Sequence, residues 1–174
     1  KKVSFGVVRV ANIPPCVALT QYLLNAECSQ EIAPRVMAYH SRQVLVLRSE
    51  QEKHLDHVLK RKEKLGEQAA AFSDEVIRQH LDVTDYDNVI FILVATPVEE
   101  VGRDHDFDWA VVEPSSYRSI IQLSGRVLRH RKLEQDIQKP NIALMQYNLK
   151  GLRKAKVAFE KPGFEINNDK FKLQ

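Results

Sequence analysis

The chain has 174 residues, 44% hydrophobic and 28% charged, a length and balance that fit one folded domain with a real core and exclude a disordered chain. A formal charge of +3 permits a polyanionic partner without demanding one. No apolar run approaches the ~20 residues of a membrane span, and Lys1-Lys2 precedes too short an apolar segment for a signal peptide.

Phe5 to Ala11 is rich in valine, and its lack of strict alternation predicts a strand buried on both faces, as in a parallel sheet. Asn12 ends it. Pro14 and Pro15 then open a helix to about Ala26, with Val17, Leu19, Tyr22, Leu23 and Leu24 as its apolar stripe. Cys16 and Cys28 fall on or near this helix. At about 1.5 Å rise per residue they would stand roughly 18 Å apart, beyond disulfide reach, so reduced thiols and a cytoplasmic location are expected. A strand is predicted over Arg35 to Tyr39, followed directly by His40-Ser41-Arg42. A long helix is predicted from about Val44 to Lys64, with Leu47, Leu55, Val58 and Leu59 inward and Gly66 as its break. A further helix is predicted from Glu67 to about Leu81.

Val89 to Val94 is the most hydrophobic stretch and is expected at the centre of the sheet. Trp109 to Val112 reads as a short strand. Ser115-Ser116 offers an N-cap for a helix over Tyr117 to His130, and Asn141 to Tyr147 reads as a last strand. The alternation predicts an α/β fold, a parallel β-sheet flanked by helices with right-handed crossovers. Ligands in such sheets bind at the carboxyl ends of the strands. Asn12, His40-Ser41-Arg42, Thr96 and Glu113 all sit just past strand ends and are expected to converge there. Beyond Tyr147 a basic run, Leu149 to Lys156, and a turn at Pro162-Gly163 follow without a closing element, as expected of a piece of a longer chain.

Two stretches concentrate the chemistry. On the predicted helix, Gln122, Arg126 and Arg129 stand at i, i+4 and i+7, which predicts one shared face. Two arginines and a glutamine there can hold a phosphate chain by forked hydrogen bonds, and Gly125 allows close approach. A solvated basic face is the plainer reading of Arg129-His130-Arg131-Lys132 alone. In the loop A-T-P-V-E-E-V-G-R-D, Gly102 suits a turn of positive φ, Asp104 can accept sugar hydroxyls, and Thr96 can offer its hydroxyl and amide to a phosphate. An acidic surface loop is the alternative. Asp104, Asp106 and Asp108 alternate, yet no further ligand stands at a fixed spacing, and no metal site is assigned. His54 and His57 read as a solvated helix face.

V-A-T-P-V-E-E-V-G-R-D resembles motif V of superfamily-2 helicases, and Q-L-S-G-R-V-L-R resembles their motif VI. The strand ending at Asn12 resembles motif IV, and Tyr39-His40-Ser41-Arg42 is similar to the strand-end motif of CRISPR-associated type I helicase–nucleases. The forms V-E-E-V-G-R-D-H-D-F-D-W, R-V-L-R-H-R and P-G-F-E resemble the type I-F branch, in which the helicase is fused to an integration-complex subunit. The resemblance implies a RecA-like second helicase lobe over residues 1–149 and a basic connector, the start of a C-terminal extension, over 150–174. It implies that Arg126 and Arg129 are arginine fingers, each such finger worth about 10³ to 10⁵ in rate in comparable phosphoryl transfers. It implies ATP contacts from Gly102, Asp104, Gln122 and Gly125, and single-stranded DNA contacts from Thr96, Asn12, Ser41 and Arg42.

The implied cofactors are ATP and Mg2+, held mainly by a first lobe. The implied partners are single-stranded DNA, the first lobe and nuclease domain of the same protein, a guide-RNA surveillance complex and the CRISPR integrase, with no membrane. The sequence contains no G-x-x-x-x-G-K-[ST] loop, no D-E-x-H stretch and no His-Asp nuclease cluster. The chain alone is therefore expected neither to hydrolyse ATP nor to cut DNA. Two other readings stand beside this one: a non-catalytic module that binds nucleic acid or a protein, and a lobe of another superfamily-2 translocase.

Overall fold

A computed structural model describes residues 1–29, 31–64, 66–100, 102–131, 137–155 and 158. Five parallel strands, β1 (Lys2–Arg9), β2 (Ile32–Tyr39), β3 (Asn88–Ala95), β4 (Trp109–Val112) and β5 (Ile142–Leu144), form one sheet in the order β2-β3-β1-β4-β5. The expected α/β fold is therefore present. β1 holds the centre, not the Val89 to Val94 strand, which lies one place inward from the edge. Both have strands on either side and helices over both faces, which explains their long apolar runs.

Helices cover both faces of the sheet. On one side lies α1 (Ile13–Asn25), whose Cys16, Leu19 and Leu23 pack with Val10, Val36, Ile92 and Val94. The expected stripe shifts accordingly: Tyr22 and Leu24 face solvent, and the buried side runs through Cys16 and Thr20. Burial raises the Cys16 thiol above its ordinary pKa, and both cysteines are free. On the other side, α2 (Leu45–Val58), α3 (Glu75–Asp82) and α4 (Tyr117–Ser124) send Leu55, Val58, Ile77 and Leu123 into a core with Phe5, Val7, Leu93, Phe107 and Ala110. Leu47, read as inward, is exposed together with Leu45 and Val46, so the first turn of α2 is not packed on the sheet.

Three predicted helices differ from the observed ones, each for a local reason. α2 stops at Val58, where the Leu59 carbonyl accepts the Asp106 N–H and Arg61 adopts φ +39°. The Glu67 to Leu81 prediction resolves into a 3₁₀ turn over Ala70–Ser73 and then α3, because the Asp74 carboxylate caps the N–H groups of Val76 and Ile77 and starts a new helix there. α4 ends at Ser124 rather than His130. The Phe107 N–H donates to the Arg126 carbonyl and the Leu128 N–H to the Phe107 carbonyl, so residues 126–128 pair beside β4's approach and leave the helix. A short α5 (Leu149–Leu152), capped by Asn148, lies across the expected start of the connector. The Pro162-Gly163 turn falls outside the described residues. Among the described residues, no helix is long and apolar enough to cross a membrane.

Candidate functional site

The carboxyl edge of the sheet carries a groove of about 600 Å³ lined by Ala11, Asn12, Ile13, Pro14, Ser41, Arg42 and Thr96 to Val98. Asn12, Ser41, Arg42 and Thr96, expected to meet from topology alone, do meet there. The reason is the strand order: β1, β3 and β2 are neighbours, so the residues following Arg9, Ala95 and Tyr39 open on one side. Thr96 is tied in place by its N–H to the Tyr39 carbonyl at 3.1 Å. Asn12 is the N-cap of α1 yet makes no side-chain cap bond, and α1 has prolines and no acid in its first turn. α2 begins just past Arg42, also without a side-chain cap or an acid in that turn. The Ile13 N–H, the one donor that Pro14 and Pro15 leave in the first turn of α1, the positive end of that helix and Arg42 favour an anion along this edge.

Glu113 does not line the groove. Its carboxylate accepts the Ala11 N–H at 2.6 Å and the Leu149 N–H at 2.8 Å, so it ties β4's end to β1 and to α5.

The second half of the site lies where the loop after β3 meets the segment after α4. Gly102 adopts φ +69°, as the turn reading required, and the space around its Cα is open. Asp104 contacts Lys62 at 2.5 Å, His130 at 2.8 Å and Arg129 at 3.4 Å. The Lys62 and His130 hydrogen bonds hold its carboxyl well below the usual carboxylate range. Asp104 and Arg129 are thus brought together.

The expectation that Gln122, Arg126 and Arg129 share a helix face is corrected. α4 ends before Arg126, and the side chains diverge. Gln122 is exposed on α4, and Gly125 is its C-cap. No foreign backbone approaches Gly125 among the described residues; a side chain there would meet only the carbonyls of Ile121 and Gln122. Arg126 is 5% exposed and turns inward, donating to the Glu100 carbonyl at 3.0 Å and to the Arg103 carbonyl. Burial pulls its pKa below the ordinary arginine value, against the pull of Glu99. Its Nε is buried without a partner among the described residues. The Arg129 side chain is 41% exposed and is the arginine of the pair that reaches the surface. A guanidinium with an unused donor and a second one at the surface fit an anionic, phosphate-bearing ligand.

The three alternating aspartates are held by the protein's own cations and N–H groups. Asp106 meets Arg131, and Asp108 meets Arg61 and Arg131. His54 and His57 lie 3.4 and 4.0 Å from Asp74 beside α3.

Several residues that build this face went unread in the sequence. Arg9, at the end of β1, reaches Glu100 at 2.7 Å, the Glu113 carbonyl at 2.9 Å and Ser115 at 2.7 Å. Glu100 also accepts from Ser119 on α4 at 2.7 Å. His105 bridges Glu99 at 2.6 Å and Asp56 at 2.9 Å, and Arg103 reaches Glu52 at 2.7 Å. A signal existed for Arg9: one charge inside an apolar strand has to find a buried partner.

The family described as CRISPR-associated nuclease/helicase Cas3, C-terminal, matches residues 2–132. The chain is 44% identical over 170 residues to the CRISPR-associated nuclease/helicase Cas3 subtype I-F/YPEST of Pectobacterium atrosepticum, a match covering 97% of this chain and 15% of that protein. It is 41% identical over 165 residues to the protein of the same description from Pseudomonas aeruginosa, covering 95% of this chain and 15% of that one. The chain therefore spans about 15% of the length of these curated relatives. The crystal structure of T. fusca Cas3-AMPPNP shares the fold with a TM-score of 0.53 at 17% identity, over 81% of this chain and 14% of that one. T. fusca Cas3 gives a TM-score of 0.52 at the same identity and coverage. The helicase resemblance read from the two motifs is borne out, and the chain belongs to the CRISPR-associated nuclease/helicase Cas3 family, whose C-terminal part it matches.

Proposed function

We propose that this chain is the second motor lobe of an ATP-dependent helicase–nuclease that translocates on single-stranded DNA and degrades invader DNA in CRISPR interference. The observation that carries the reading is the meeting of Asn12, Ser41, Arg42 and Thr96 in one groove at the uncapped N-terminus of α1. These groups suit phosphates and read no base edges, as a motor that steps along any sequence requires.

In this reading the lobe covers residues 1–149, and a basic connector that starts a C-terminal extension follows over 150–174. Arg129 reaches toward the γ-phosphate of a nucleotide held by a first lobe elsewhere in the protein. Arg126 holds the carbonyls of Glu100 and Arg103 and is the second finger when the lobes close. Asp104 serves the ribose, and Gly102, Gln122 and Gly125 are the further nucleotide contacts of this reading. ATP with Mg2+ supplies a hydrolysable phosphoanhydride whose charge the metal and arginines offset. The partners are single-stranded DNA, the first lobe and nuclease domain, a guide-RNA surveillance complex and the CRISPR integrase, in the cytoplasm. The chain alone neither hydrolyses ATP nor cuts DNA.

The test is single-stranded DNA binding by the full protein as a function of salt. Arg42→Ala is expected to weaken binding and to make the slope of log K against log salt shallower by about 0.7, one phosphate contact on a single strand. Asn12→Ala with Ser41→Ala is expected to weaken binding with the slope unchanged. Wild-type affinity and slope in both variants would remove the groove from the DNA track.

A further inference from the structure

Arg129 is not presented by a helix, because α4 has ended at Ser124. Something else has to fix where its side chain starts. The segment leaves α4 through the bridge between Phe107 and Val127, then passes Leu128 at φ +50°. A non-glycine residue there is disfavoured and persists only when its surroundings hold it. The holding group is the carboxylate of Asp106, which is fully buried. One of its oxygens accepts the Arg129 N–H at 3.1 Å, and the other accepts the His130 N–H at 3.0 Å.

The carboxylate is itself fixed from two directions. Arg131 grips it with a fork, NH2 to Oδ1 at 2.9 Å and Nε to Oδ2 at 3.2 Å. The Asp106 N–H donates to the Leu59 carbonyl at 2.8 Å, just past α2. Arg131 is anchored in turn by Asp108 at 2.5 Å and the Phe107 carbonyl at 2.9 Å. Burial pushes the Asp106 carboxyl up, but Arg131 and the two N–H groups outweigh it and hold the group below its ordinary value, so it stays an anion.

We propose that Asp106, clamped by Arg131, is a positioning residue for phosphoryl transfer: it sets the backbone from which Arg129 projects toward the nucleotide. This rests on the reading of Arg129 as a finger. Asp106 is sealed from any ligand and acts only through Arg129. A misplacement of about 1 Å at such a group can cost about 10² in rate, so a rigid seat for the backbone matters as much as the guanidinium it carries.

The experiment uses the full protein with single-stranded DNA. ATP turnover is followed by release of labelled phosphate and normalised to the number of ATP molecules bound, which removes any unfolded fraction. Asp106→Asn keeps the shape and loses the charge, and kcat is expected to fall by about 10², with KM for ATP within about threefold of wild type. Arg131→Lys keeps the charge and loses the fork, and a fall of about tenfold is expected; it carries the test should Asp106→Asn not fold. Each change is then placed on an Arg129→Ala background. If Asp106 works through Arg129, the double variants turn over within about twofold of Arg129→Ala alone. Wild-type kcat in the folded single variants, or a further loss of tenfold or more on the Arg129→Ala background, overturns the proposal. Full turnover by Arg129→Ala itself instead sinks the finger reading, and the proposal with it.

Discussion

Arg9 donates its Nε–H to Glu100 at 2.7 Å, and neither side chain is more than 5% exposed. The pair joins the end of the central strand to the loop after β3, and Glu100 passes the link to Ser119 on α4. Removing one partner leaves an uncompensated buried charge. Arg9→Met should therefore cost about 3–5 kcal/mol in urea denaturation, while Arg9→Met with Glu100→Leu should recover part of that loss. A cost below about 1 kcal/mol for the single variant would mean that water reaches Glu100.

Gly6 sits opposite Trp109 across β1 and β4, and a Cβ at Gly6 would come within 2.1 Å of two carbons of the indole. Gly6→Ala should destabilise by about 1–3 kcal/mol, as overpacking does, and Trp109→Leu on the same chain should relieve it. Gly102→Ala meets no such wall; its cost should be only the backbone preference at φ +69°, about 1 kcal/mol. Thermal melts of the three variants rank the two effects, and an equal cost at both glycines would contradict the assignment.

The sheet was legible because each strand's apolar run and each intervening helix is a local property. Val89 to Val94 and Phe5 to Ala11 carry their own burial pattern, and parallel pairing follows from the alternation. The groove was legible because Asn12, Ser41, Arg42 and Thr96 each follow a strand, and strand ends of a parallel sheet share an edge. The face around Asp104 and Arg129 was legible in content and not in geometry. Arg126 and Arg129 stand at helical spacing, but the helix is overridden by Phe107, far away in sequence, which takes the Arg126 carbonyl. Arg61 likewise leaves α2 to meet Asp108. Such tertiary hydrogen bonds leave no periodic signal, so helix ends and the roles of Asp106, Arg131 and His105 lay beyond pattern reading.

Glu52 gathers three partners, Tyr39, Arg48 and Arg103, between β2, α2 and the 102–105 turn. The Arg103 hydrogen bond, with those of Tyr39 and Arg48, holds its carboxyl down at about 2. A depressed carboxylate contributes stability that is present above its unfolded value of about 4.3 and is lost as pH falls toward the folded one. Wild type should therefore lose stability between about pH 5 and pH 2 more steeply than Glu52→Gln, which should be less stable at pH 7 by about 1–2 kcal/mol. Parallel acid profiles for the two proteins would show that the cluster does not hold Glu52 ionised.

In the proposed function, the surface beside Asp104 completes a nucleotide site on a partner lobe. The most direct measurement is ATP turnover by the full protein carrying Arg129→Ala, with and without single-stranded DNA, beside its ATP affinity. The expected result is a loss of DNA-stimulated turnover of about 10³ or more, with ATP affinity within about threefold of wild type. Near-normal stimulated turnover in that variant would contradict the account.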